Sequence, residues 1–330
     1  WPAVVWALLM ASIVHSGAPF GGPLGVITAK YSDLFYSDPR RLSAVVTLLL
    51  VPMAGGRAFL WQKRSFVGAL FLFSAWAWLR VTSESFVFYS HFSFEPAFNS
   101  ESLTKAAFLT LATCEAILTG RDYGEVYREF GRMYPDPMGG YGLRFHDWLH
   151  SDDPAPYGSW GNGSAMRVGP IGYAFDDVDE VLRQAHRSAA VTHDHPEGIK
   201  GAQATALAVL LARQGVGKEG IRTAISGRFG YDLGRTVESI RPTYGFEDSC
   251  QHTVPEALIA VLDANSFEEA VRNAISLGGD ADTLGCIAGG VAQALFRDVP
   301  FLWIATALVD LPEHLCDVAA RFCDRYPQAG

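Results

Sequence analysis

Residues 266–296 read SFEEAVRNAISLGGDADTLGCIAGGVAQALF, a helix, a hinge and a second helix. Ser266-Phe267-Glu268-Glu269 has the spacing of a capping box and opens a helix that runs to Leu277. Gly278-Gly279 breaks it, and Asp280-Ala281-Asp282-Thr283 leads into an apolar helical run over 284–296. The hinge therefore gathers two carboxylates and a hydroxyl within four positions. Oxygen ligands of this kind suit hard cations such as Mg²⁺ and Mn²⁺. The same residue types also cap helices, so this stretch alone leaves both roles open.

Outward from this segment, helical periodicity continues almost without period-two alternation from residue 103 onward. Helices are expected over 103–118, ending at Gly120, and over 123–133, followed by a Pro/Gly loop over 135–142. Others are expected over 178–191 behind Asp176-Asp177, over the Ala-rich 198–213, and over 254–264 and 312–323. The fold class is all-α, a compact multi-helix domain over 101–330, with no internal repeat of fixed period.

Composition separates the chain near Ser100. Residues 1–100 hold only 4 of the 35 acidic residues but 19 of the 41 aromatics, and carry a local balance of +3 against −12 for the rest. Within them, apolar runs over 1–14, 42–52 and 65–79 fall short of the roughly 18–20 residues of a membrane-spanning helix. Lys63-Arg64, Arg80, Trp76 and Trp78 nonetheless resemble membrane flanks, so a tethered segment is one alternative. The first run has neither the basic start nor the Met of a signal peptide, and a chain opening at Trp1 reads as a fragment or a trimmed piece. The net charge of −9 disfavours nucleic acid as a general partner. Five widely spaced cysteines with no C-x-x-C pair suggest neither a disulfide framework nor a structural zinc site, and fit a reducing, cytoplasmic compartment.

Two further stretches carry possible chemistry. Gly161-Asn162-Gly163-Ser164-Ala165-Met166-Arg167 is a small-residue loop whose backbone N–H groups can approach a phosphate or ribose, or is simply a turn, with Arg167 as an ion-pair partner. Thr192-His193-Asp194-His195-Pro196-Glu197-Gly198 stands at a helix junction. Its two histidines lack the further ligands of a zinc site, which leaves a His oriented toward a sugar hydroxyl or a buried junction His. Cys250 reads as a packed core thiol.

The order of Phe130-Gly131-Arg132-Met133-Tyr134-Pro135, the Gly161 loop, the His193 junction and Gly278-Gly279-Asp280-Ala281-Asp282-Thr283 resembles the ADP-ribosylglycohydrolase family over about residues 109–296. That resemblance implies an all-helical hydrolase with two Mg²⁺ or Mn²⁺ ions at the base of an ADP-ribose cleft. On this reading Asp280, Asp282 and Thr283 carry metal, with Asp280 and Asp282 also catalytic. Gly161, Asn162, Gly163, Ser164 and His193 contact substrate, and the partner is an ADP-ribosylated protein or a small ADP-ribose conjugate. The family's amino-terminal Thr-Asp-Asp motif is replaced: the helix at 109–116 aligns Thr104-Lys105-Ala106 with it, and both carboxylates are absent. An earlier Gly-Asp segment is not found in residues 1–100 either. Three accounts follow: an impaired module that still binds ADP-ribose, an enzyme that recruits carboxylates from elsewhere, or an unrelated amino-terminal third, which the composition break favours.

Overall fold

A computed structural model of the chain describes residues 105–137, 140–301, 303–304, 307 and 311–327. The composition boundary near Ser100 and the apolar runs before residue 80 lie outside the described residues. The chain forms α1 (Lys105–Thr119), α2 (Tyr123–Met133), α3 (Leu143–His150), α4 (Gly163–Met166), α5 (Gly169–Ala174), α6 (Val178–Ala190) and α7 (Pro196–Arg213). There follow α8 (Lys218–Phe229), α9 (Val237–Ile240), α10 (Cys250–Asp263), α11 (Phe267–Ser276), α12 (Ala281–Phe296) and α13 (Glu313–Arg325). Among the described residues the architecture is all-α, as expected, and extended pairing is confined to an isolated antiparallel bridge between Gly161 and Ser249. None of the described helices is long and apolar enough to cross a membrane.

Local chemistry sets the boundaries. The Asp122 carboxylate accepts from the N–H groups of Gly124 and Glu125 at the start of α2, and Asp177 accepts from Glu180 N–H at 2.9 Å to start α6. Ser266 caps α11 through Glu269 N–H, but the expected reciprocal bond goes elsewhere: Glu269 reaches back one residue further, to Asn265 N–H at 2.8 Å. The expected helix over 254–264 begins one turn earlier, at Cys250. Pro255 lies inside α10, beyond its first turn, so the ladder there lacks one backbone donor.

Helix α7 is the hub. Its Gly and Ala residues leave a thin cylinder, and α4, α5, α6, α8, α10 and α12 all pack against it. The approach is closest where Gly201 faces α10: a Cβ at Gly201 would overlap Cys250 Sγ, and both residues are buried. Helix α12 is equally apolar and lies against α7, α10 and α11, which sets its amino-terminal end beside that of α4. This arrangement positions the site.

Replacing Gly201 with Ala is expected to destabilise the fold by about 1–3 kcal/mol in urea denaturation, because the added methyl has no space against Cys250. The cost should shrink in a Cys250→Ala background. Strictly additive effects of the two substitutions would show that the helices do not meet there.

Candidate functional site, an aspartate pair facing a glycine turn

The hinge after α11 needs glycine twice over. Gly278 and Gly279 have φ of +77° and +66°, and a Cβ on Gly279 would stand 2.6 Å from the Gly245 carbonyl oxygen. The reversal places Asp280 at the N-cap position of α12, yet its side chain makes no capping bond. Its Oδ2 instead accepts from Asn162 Nδ2 at 2.7 Å, joining residues 118 positions apart. Asp282, in the first turn, takes the Thr283 N–H on Oδ1 at 2.8 Å. Both carboxylates are more than nine-tenths buried.

Burial and the neighbouring Asp280 push the Asp282 carboxyl up to about 7. Burial acts on Asp280 in the same direction, but hydrogen bonds from Asp282 and Asn162, together with the Lys105 charge, outweigh it and hold Asp280 below its ordinary value. Below neutrality the pair therefore holds one proton between two carboxylates, and it loses that proton as pH rises through about 7. Thr283 is fully buried; its hydroxyl supports Asp280 and faces the Met166 sulfur at 3.8 Å.

The opposite wall is the Gly161 turn. Asn162 N–H donates to Asp248 C=O at 2.7 Å and Cys250 N–H to Trp160 C=O at 2.9 Å, so the turn is stitched to the start of α10. Asn162 Nδ2 also donates to Thr253 Oγ1 at 3.1 Å, which fixes the amide between α10 and Asp280. Residues 163–166, read from sequence as a loop, form the single helical turn α4. Ser164 points away from the opening. Its hydroxyl is fully buried and donates to the Gly198 carbonyl at 2.8 Å, tying α4 to α7. The Cys250 thiol is buried beside it and pushed up to about 12, as suits a packed core group.

His193 stands behind the turn, with Nε2 3.2 Å from where a Cβ on Gly163 would be; a side chain there would crowd the ring. Its Nδ1 lies 2.7 Å from Thr192 Oγ1, and that oxygen already accepts from Arg167 at 2.9 Å. Where Thr192 donates to Nδ1, the histidine hydrogen lies on Nε2, facing the turn. Burial and the charges of Arg167 and Arg144 hold the ring neutral well below its usual range. Arg167 is not the surface ion-pair partner considered from the sequence: it is 1% exposed, donates to Ser188 C=O at 2.7 Å and lies over the Tyr127 ring at 4.3 Å. Asp194 and His195 serve the backbone, accepting from Gly158 N–H at 2.6 Å and Glu197 N–H at 3.2 Å respectively.

These elements enclose a cleft of about 630 Å³, within the range of small-molecule sites. Asp280, Asp282, Asn162, Gly161, Gly163 and His193 line it, whereas Ser164 and Thr283 lie in the wall behind. Lys105, the first residue of α1, lines it too, its Nζ 4.0 Å from Asp282 Oδ2. Sequence reasoning missed the rim, where Leu143 (83% exposed), Phe246 (78% exposed), Tyr141 and Arg144 surround the mouth. Exposed apolar side chains beside the Pro/Gly loop and in the polar stretch 244–248 were the available signal. Two carboxylates, a buried hydroxyl and an ammonium do not fit a pair of divalent ions. Among the described residues there is no group of three or more His, Cys, Asp or Glu placed to hold one.

In nitrogen-detected NMR, His193 is expected to be the neutral tautomer with the proton on Nε2 at pH 5.5, where a histidine of ordinary pKa near 6.5 would be mostly charged. A protonated ring at that pH would contradict the Arg167–Thr192–His193 arrangement.

The chain is similar to several known proteins. ADP-ribosylhydrolase ARH3 of Gallus gallus is 28% identical over 267 residues, covering 61% of this chain and 72% of the relative. That of Mus musculus is 30% identical over 193 residues, covering 44% and 52%. The ADP-ribosylarginine hydrolase Tri1 of Pseudomonas putida is 26% identical over 189 residues, covering 55% and 50%. The chain thus spans about half the length of most curated relatives it matches. A solved structure described as an ADP-ribosylglycohydrolase-related protein complex shares the fold, with a TM-score of 0.58 at 23% identity over 80% of this chain and 98% of that one. The ADP-ribosylglycohydrolase profile matches residues 81–329, beginning upstream of the composition boundary, and the chain belongs to that family.

Proposed function

We propose that the cleft receives the ADP-ribosyl group of a modified protein or small conjugate and that water there cleaves its glycosidic bond. The observation that carries this reading is the 2.7 Å contact between Asn162 and Asp280, which sets the glycine turn and the aspartate pair on facing walls of one cleft. The Gly163 backbone N–H and the Nε2–H of His193 are donors suited to diphosphate and ribose oxygens. Asp280 and Asp282 are acceptors suited to ribose hydroxyls and to a water aimed at the anomeric carbon. Hydrolysis forms a bond from the water oxygen to that carbon and breaks the bond to the side-chain nitrogen or oxygen, which leaves with a proton. The two carboxylates are the groups at hand to take the water's proton and return one to the leaving group. The exposed Phe246 and Leu143 at the mouth suit the flat face of a nucleobase. Dependence on Mg²⁺ or Mn²⁺, which the family resemblance implies, has only Asp280, Asp282 and Thr283 to support it among the described residues, and no step here is routed through an ion.

A second reading is a module that binds ADP-ribose without cleaving it. Lys105, placed where the family's motif has a carboxylate, favours it.

The full chain is expected to release ADP-ribose from arginine- or serine-modified peptides, measured chromatographically, and Asp280→Asn to lower that rate about hundredfold. Binding of ADP-ribose without release from either peptide would establish the second reading. Neither binding nor release by folded protein would defeat both.

A further inference from the structure

We propose that the ammonium of Lys105 takes the place of a divalent ion against the Asp280–Asp282 pair, so that this cleft engages ADP-ribose without metal. The inference rests on the reading that the cleft takes ADP-ribose, and it begins with where the lysine stands. It is the first described residue of α1. Its Nζ is 4.0 Å from Asp282 Oδ2, in a side chain only 5% exposed. The Lys105 charge acts on both members of the pair, Asp280 and Asp282.

Position is held as firmly as charge. Helix α1 is continuously buried over residues 106–114, and Thr110 Oγ1 donates to the Met166 carbonyl at 3.3 Å, which ties α1 to the turn that carries Asn162. Cys286 Sγ donates to the same carbonyl at 3.0 Å, which ties α12 to it as well. The amino-terminal end of α1 and the two aspartates are thereby kept at a set separation.

An ion bonded to Asp282 Oδ2 at about 2.1 Å would lie within about 6 Å of the ammonium, in a largely buried site where like charges are poorly screened. Lysine and ion therefore compete for one position. The ammonium also brings three donors, which suit ribose hydroxyls or a phosphate oxygen as well as carboxylate.

Titration of Mn²⁺ into the metal-free full chain, followed by the electron paramagnetic resonance of the free ion, tests this with three proteins. Lys105→Ala should take up Mn²⁺ at least about tenfold more tightly than the unsubstituted chain, and Lys105→Ala/Asp282→Asn should lose that gain. Equal uptake by the unsubstituted chain and Lys105→Ala, including none by either, would overturn the proposal. Lys105→Gln serves if the alanine variant does not fold. A parallel calorimetric titration with ADP-ribose should give the same affinity with EDTA as with Mn²⁺; weakening by about tenfold or more in EDTA would also overturn it. Failure of ADP-ribose to bind under both conditions would instead remove the functional reading, and the Mn²⁺ arm would still decide the role of Lys105.

Discussion

The hydrogen bond from Asn162 to Asp280 is the contact on which the site depends. It crosses from a turn stitched to the start of α10 to the first residue before α12, and it is the point at which two distant pieces of sequence become one wall and its facing wall. A bond from a buried amide to a carboxylate contributes about 1.5–3 kcal/mol, and leaving either partner buried and unmatched costs a comparable amount. Everything around it serves to keep both partners still. Thr253 holds the amide, Gly279 allows the chain to pass beneath Gly245, and Ser164 fastens the turn to α7.

That stillness comes from a core of small residues. Gly198, Gly201 and the alanines of α7 let neighbouring helices come within backbone distance, and the glycines and alanines of α12 do the same on the other side of the cleft floor. Several polar groups buried in this core are linked in chains rather than pairs, although Arg167 Nε has no hydrogen-bond partner among the described residues. Arg167 bonds Ser188 and Thr192, Thr192 bonds His193, and Tyr127 covers the guanidinium while bonding Ser188 at 2.6 Å. The chain ends at His193, which lines the cleft.

Much of the fold was legible because strong local signals agreed with it. Asp122 and Asp177 cap amphipathic helices, and 123–133 and 178–191 fall within one residue of α2 and α6. Where local chemistry was ambiguous, the reading slipped. The helix expected over 254–264 lacks the first turn of α10, and α8 was missed because only Ile221 and Ile225 of its twelve residues are buried, too few for a visible stripe. Of the site, the order of motifs brought the aspartates, the Asn162 turn and His193 to notice. It could not say that the Ser164 hydroxyl and Arg167 turn inward, because a hydroxyl or guanidinium beside a glycine turn has the same sequence whichever way it faces. The rim escaped because Leu143 and Phe246 belong to segments with no periodicity of their own.

Lys105 joins sequence and structure most tightly. Aligning the helix at 109–116 put a lysine where carboxylates belong, and the fold carries that lysine to the aspartates themselves. The charge is balanced inside the protein, and the facing glycine turn and histidine remain intact. The most direct measurement of the central claim is amide hydrogen exchange of the full chain with and without ADP-ribose. The account predicts slowed exchange together at residues 159–166, 192–195 and 279–283. Protection confined to other segments, or no change at saturating ligand, would contradict it.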